Sequence, residues 1–378
     1  MNPASNAVEL TRRLVRFNTV NPPGNERECN HYLGDLLQAA GFSVAYHEFA
    51  DSRTTLIARL AGRRGKKPLC FTGHVDVVPL GARPWKVEPF GAEMSSGKLF
   101  GRGSSDTKSG VAAFVAAALE MGKDLERGPG VVMVITAGEE TGSAGAFQVA
   151  ALGAAALGEA GAIVVAEPTG NRPLAGHKGA LWLKARTRGR TAHASIPHEG
   201  VNAVYKAARV IAKLERYGFD APAHPAMGSP TLNVGTVSGG LNVNSVPDFA
   251  EVGIDIRIPL GMDHAQLRSK LADYLTPELD ELETTLDMAG VATDPGHPWV
   301  QEICEIMESL LGRRPEPALA PYFTDAGALT PAYGGVPTVI LGPGEIEMAH
   351  QTDEYCHVSK IEQAFEAYRM IIQRWQNA

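Results

Sequence analysis

Four short apolar runs, at 68–72, 131–136, 162–166 and 337–341, decide most of what this chain can fold into. Three of them hold adjacent β-branched residues, and all are too short for a buried helix, so they read as strands covered on both faces. Ala-rich helical stretches at 110–121 and 145–157 separate them. That alternation predicts an α/β fold built on a helix-flanked, mostly parallel sheet. Further helices are expected near 5–16, 26–40, 300–311 and 360–375, the second stopped by Gly41.

Between about 178 and 289 the texture changes. Strand-like LWLKARTRGR, a helical stretch at 202–217, the strands TLNVGTVSGG and AEVGIDIRIP, a helical stretch at 263–275 and LETTLDMAG give the order βαββαβ. Val252, Ile254, Ile256 and Ile258 alternate with Glu251, Gly253, Asp255 and Arg257, so one face of that strand is apolar. The expectation is a ferredoxin-like α+β domain at 178–289, inserted into a catalytic domain made of 1–177 and 290–378.

Composition narrows the partners. Hydrophobic residues at 44% and charged residues at 20% of 378 describe a globular chain. Lys+Arg 35 against Asp+Glu 42 gives −7, with the two signs interspersed, which argues against nucleic acid. No segment offers the roughly 18 uncharged apolar residues of a spanning helix, so no membrane partner is expected. The opening MNPASNAVELTRRLVRF has no apolar h-region, and Cys29, Cys70, Cys304 and Cys356 form no CxxC pair. Those features predict an untargeted protein of the reducing cytoplasm.

Histidines and carboxylates cluster just after the apolar runs, in GHVDVVP, TAGEETG, VAEPTG and LGPGEIEMAH. Ligands of open parallel sheets gather at the carboxyl ends of strands, so these segments should converge. His74 and Asp76 are two apart, and Asp76 is placed to hold the imidazole of a metal-bound His74. Asp106, in GRGSSDTKSG ahead of a helix, reads as a metal ligand or as a helix cap. Adjacent Glu139 and Glu140 repel unless a cation or shared proton relieves them, which suggests one ligand and one general base. With Glu167 and His350, the set His74, Asp106, Glu140, Glu167 and His350 is all nitrogen and oxygen and suits two divalent ions if Asp106 bridges. There is no GxSxG elbow and no Walker A loop.

Taken in order, GHVDVVP, GRGSSDTKSG, TAGEETG, AEPTG and AHQTDEY resemble the M20 metallopeptidase family over nearly the whole chain, specifically its acetylornithine deacetylase and succinyl-diaminopimelate desuccinylase branch. The resemblance implies that His74, Asp106 and Glu167 hold one zinc, that Asp106, Glu140 and His350 hold another, and that Glu139 is the base. It also implies a homodimer formed by the inserted lid domain, with His193 stabilising the oxyanion across the dimer and Asn244 and Arg257 binding substrate. The activity implied is removal of an acyl group from the nitrogen of a small amino-acid-type substrate, with Co2+ or Mn2+ as alternatives to Zn2+. A carboxypeptidase or dipeptidase is the rival reading, and an inactive binding protein on the same fold a remote one. Two departures stand out: Thr107 replaces a common Met or Asp, and Phe323 stands where many members have Gly.

Overall fold

The computed structural model describes residues 6–63 and 65–377. The chain divides into two compact units. One comprises the chain up to Gly176, Ala292–Ala318 and the residues from Thr324 onward, and the other comprises His177–Val291 with Leu319–Phe323.

In the larger unit the sheet runs, in spatial order, Ser43–Ala50, Arg53–Ala61, Gly130–Thr136, Leu69–His74, Ala162–Val165, Thr338–Ile340 and Leu174–His177. Its four central strands, Gly130–Thr136 to Thr338–Ile340, are parallel to one another, and each is buried along its length. That burial is what the four uninterrupted apolar runs require. The hairpin Ser43–Ala50/Arg53–Ala61 adds an antiparallel margin that the apolar runs do not announce. Its outer strand, SVAYHEFA, is half-exposed and carries His47 and Glu48, so it has no continuous apolar stretch.

Helix Lys108–Met121 packs between Ala7–Val15 and Val358–Asn377, and it is buried almost all round. Ala112, Ala113, Ala116 and Ala117 let its neighbours approach closely. Among the described residues no helix is long and apolar enough to cross a membrane.

The smaller unit follows the βαββαβ order: Gly179–Arg188, Ala203–Glu215, Thr231–Gly239, Phe249–Ile258, His264–Leu275 and Glu281–Met288. Its antiparallel sheet places Phe249–Ile258 and Gly179–Arg188 at the centre, with Thr231–Gly239 and Glu281–Met288 at the edges. Val252, Ile254, Ile256 and Ile258 are buried in one core with Leu181, Leu183, Val210, Leu214, Leu267 and Leu271. Each such side chain contributes about 1.5–3 kcal/mol by burial. Asn202 and Asp263 cap the two helices, accepting from Tyr205 N and Gln266 N at 3.0 Å each. Leu319–Phe323 lies in the stretch that the sequence assigned to the catalytic domain, yet it groups with this unit because Phe323 packs on Trp182, Leu286 and Met288.

Candidate metal centre

Because the four central strands of the larger sheet are parallel, the segments that follow them leave at one edge. His74 is the last residue of Leu69–His74, Glu139 and Glu140 sit in the turn after Thr136, Glu167 lies just past Val165, and His350 lies in the loop beyond Ile340. Asp106 arrives from the loop ahead of Lys108–Met121. A glycine is required where that helix meets the sheet: a Cβ on Gly110 would overlap the Ala166 carbonyl oxygen. The close approach brings Asp106 toward Glu167.

The five expected ligands converge as two groups that share one residue. In His74–Asp106–Glu167 and in Asp106–Glu140–His350, ligand atoms lie within 4.8 Å of one another. Asp106 Oδ1 is 3.2 Å from His74 Nε2, and its Oδ2 is 3.5 Å from His350 Nε2. Glu167 Oε1 stands 3.6 Å from His74 Nε2, while Glu140 Oε2 stands 3.1 Å from His350 Nε2. His74 and Glu167 are buried, and His350 is exposed. Helix capping does not explain Asp106, since Thr107 occupies the cap position and no side chain caps the helix.

Two buried carboxylate oxygens, Glu140 Oε1 and Glu167 Oε1, have no hydrogen-bond partner among the described residues. Buried acceptors are ordinarily satisfied, so their isolation beside two imidazoles calls for cations. An all-nitrogen-and-oxygen set with a bridging carboxylate fits a pair of divalent ions.

The supporting contacts differ from expectation at Asp76. His74 Nδ1 meets the Asp76 main-chain carbonyl at 2.9 Å, whereas the nearer carboxylate oxygen is 3.5 Å away. The carboxylate is engaged elsewhere: Oδ1 accepts from Gly138 N at 2.9 Å and Glu139 N at 3.1 Å, and Oδ2 accepts from Glu140 N at 3.1 Å and Asn21 Nδ2 at 2.8 Å. Asp76 thus fixes the ring through its backbone and the Glu139–Glu140 turn through its side chain. Glu354 does the same for the Asp106 loop, accepting from Gly103 N, Ser105 N and Asp106 N at 3.1, 2.8 and 3.0 Å. Buried Asp325 accepts from Thr136 Oγ1. Sequence reasoning missed Asn21, Arg102, Asp325 and Glu354. The last lies in the AHQTDEY motif itself, where an acidic residue close behind a ligand histidine was the available signal.

Electrostatics follow from crowding acidic groups out of water. Burial, reinforced by the charges of Glu167, Glu140 and Asp325 and opposed by His74, pushes the Glu139 carboxyl well above its ordinary range. Burial likewise raises Glu167 and Glu140. Burial works to lower His350, but the Glu140 hydrogen bond and the Glu140 and Asp106 charges outweigh it and raise the imidazole to about 9. Glu139 Oε2 lies 3.9 Å from His74 Nε2 and belongs to neither ligand group.

The remaining expected residues lie in the smaller unit. His193 is exposed, with Nδ1 2.7 Å from Ser195 Oγ, and its loop is joined to that of Asn244 by Ala194 N donating to Asn244 O at 3.1 Å. Arg257 is half-buried. It donates from Nε and Nη2 to Asp255, and its guanidinium lies over the Phe323 ring at 4.7 Å.

The chain is similar over 98% of its length, and 99% of the other, to a metallo-carboxypeptidase, Sso-CP2, from Sulfolobus solfataricus, with 18% identity and a TM-score of 0.80. It is similar to the di-peptidase Dug1p from Saccharomyces cerevisiae, with 14% identity, a TM-score of 0.80 and coverage of 100% and 98%. Human carnosine dipeptidase 1 matches at 15% identity and a TM-score of 0.77, covering 100% and 99%. The model of peptidase family M20/M25/M40 matches residues 70–374. With that match spanning most of the sequence and the metal-ligand groups assembled, the chain belongs to peptidase family M20/M25/M40 and is a metal-dependent hydrolase.

Proposed function

We propose that the protein is a di-zinc amidohydrolase that removes an acyl group, of acetyl or succinyl type, from the nitrogen of an amino acid or related small molecule. The observation that carries this reading is the double use of Asp106, one oxygen toward each histidine, with the buried Glu139 carboxyl 3.9 Å from the His74 imidazole. His74, Asp106 and Glu167 would hold one cation, and Asp106, Glu140 and His350 the other. Nitrogen and oxygen donors suit zinc, with Co2+ or Mn2+ as alternatives. Cations in such a site acidify water and polarise a carbonyl oxygen.

The chain's own residues handle the proton. Glu139 takes a proton from the attacking water, the water oxygen adds to the amide carbon, and the C–N bond breaks as Glu139 returns the proton to the leaving nitrogen. A carboxyl raised by burial is suited to both halves of that exchange. His193 would donate to the oxyanion, and Asn244 and Arg257 would bind the substrate, Arg257 at its carboxylate.

A homodimer accompanies this reading. Strand Thr231–Gly239 is an open sheet edge, and Val237, Leu241 and Val243 near it are 62%, 100% and 99% exposed. An unpaired edge with apolar neighbours is a surface for pairing with a second copy. Cytoplasmic residence is supported by four buried, unpaired cysteines.

The second reading is cleavage of small peptides, which the carboxypeptidase and dipeptidase identities of similar structures favour. The acetylornithine deacetylase and desuccinylase branch and the dipeptidases would break the same kind of bond. A panel of N-acetyl and N-succinyl amino acids against dipeptides, with the zinc-loaded enzyme and release of the free amine measured, separates them. Faster turnover of dipeptides than of every N-acyl amino acid would replace the first reading with the second.

A further inference from the structure

We propose that the buried Arg102–Glu354 pair is a positioning device that sets the spacing of the Asp106 and His350 loops, and so governs one cation position, Asp106–Glu140–His350, more than the other. The inference rests on the two-cation reading above.

Both side chains are almost fully buried, 2% and 1% exposed, and Arg102 Nη1 donates to Glu354 Oε2 at 2.6 Å. A buried ion pair costs desolvation, so its value lies in what else the two groups hold. Glu354 accepts three main-chain N–H groups of 103–106, ending at Asp106 itself. Arg102 donates to main-chain carbonyls on the other side: Gln351 O at 3.2 Å, Pro79 O at 3.2 Å and His350 O at 3.4 Å. Its guanidinium also lies over the Trp85 ring at 5.2 Å. One ion pair therefore ties the Asp106 loop, the His350 loop and the segment after His74 into a single unit.

His350 needs such support. Its backbone sits at φ +64°, a left-handed conformation that is strained for a residue with a Cβ. Such strain persists where surrounding contacts over-determine it. Arg102 grips the carbonyls of His350 and Gln351, in the two peptides that follow the strained residue. His74, by contrast, ends a central strand and Glu167 follows another, so the first group is set by the sheet. Loss of the pair should leave His74 and Glu167 in place and loosen Asp106 from His350.

The test is a Co2+ titration of the metal-stripped full-length protein, read by visible absorption and equilibrium dialysis, for wild type, Glu354→Gln and Arg102→Lys. Gln keeps the shape but replaces one acceptor with a donor, and Lys keeps the charge but loses the fork. Loss of a group that orients a ligand typically costs about 10–100-fold in metal affinity. We expect one Co2+ to bind with near-wild-type affinity in both variants and the other at least about tenfold more weakly. Two equivalents bound as in wild type would overturn the proposal. So would loss of both equivalents together, in folded or unfolded variants, since the pair would then serve the fold as a whole. If wild type itself binds fewer than two equivalents, the two-cation reading fails instead.

Discussion

The Asp76 carboxylate accepts the main-chain N–H of Glu139 at 3.1 Å, so this side chain fixes the Glu139–Glu140 turn while its main-chain carbonyl meets the His74 ring. The same carboxylate also holds Gly138, Glu140 and Asn21. Asp76→Ala leaves the Gly138, Glu139 and Glu140 amides without their side-chain acceptor and Asn21 Nδ2 with Thr141 Oγ1 alone. At about 1–3 kcal/mol for each unsatisfied group, a stability loss of at least about 3 kcal/mol is expected, measured by urea unfolding. A loss under about 1 kcal/mol would mean that the turn is held by other contacts.

Glu139 belongs to neither ligand group, so its removal should separate chemistry from metal binding. Glu139→Gln is expected to lower kcat by about 10²–10⁴-fold while metal content stays as in wild type. Steady-state kinetics paired with elemental analysis checks this, and near-normal turnover would remove Glu139 from its role.

The metal-stripped protein should lose stability as pH rises from 6.5 to 9. His350 is raised to about 9 in the folded chain, so its contribution is fully present below about 6.5, the unfolded value, and disappears as pH climbs through 9. Burial and neighbouring charges raise Glu139 and Glu167 as well, which means the folded state holds more protons and is penalised in the same direction. Thermal melts of chelator-treated protein at three pH values read this directly. The Tm should fall across the window and the fall should shrink when metal is restored, and a Tm that rises with pH would contradict the assignment.

At the open edge of the smaller sheet, Leu241→Asp with Val243→Asp should convert a dimer to a monomer on size-exclusion chromatography with light scattering. Both side chains are essentially fully exposed in one chain, so the fold itself should tolerate the change, and an unchanged Tm at low concentration serves as the control. Dimers that survive the double substitution would place the contact elsewhere.

Much of the centre was legible because its logic is topological. Parallel strands must end at one edge, so clusters far apart in sequence at His74, Glu140, Glu167 and His350 can be brought together from the sequence alone. The alternation of Val252, Ile254, Ile256 and Ile258 likewise announced a one-sided sheet. What stayed hidden were contacts set by loop conformation. Glu354 and Asp76 bind N–H groups whose direction depends on loop conformation, and no spacing rule in the sequence encodes it. The hairpin at Ser43–Ala61 was hidden for another reason: a half-exposed margin strand carries no uninterrupted apolar run.

The most direct test of the account is the location of bound metal. Crystals of the zinc-loaded protein, measured above and below the zinc absorption edge, should show two anomalous peaks. One should be ringed by His74, Asp106 and Glu167, and the other by Asp106, Glu140 and His350, with Asp106 touching both. A single peak, or peaks that leave Asp106 outside the coordination, would contradict it.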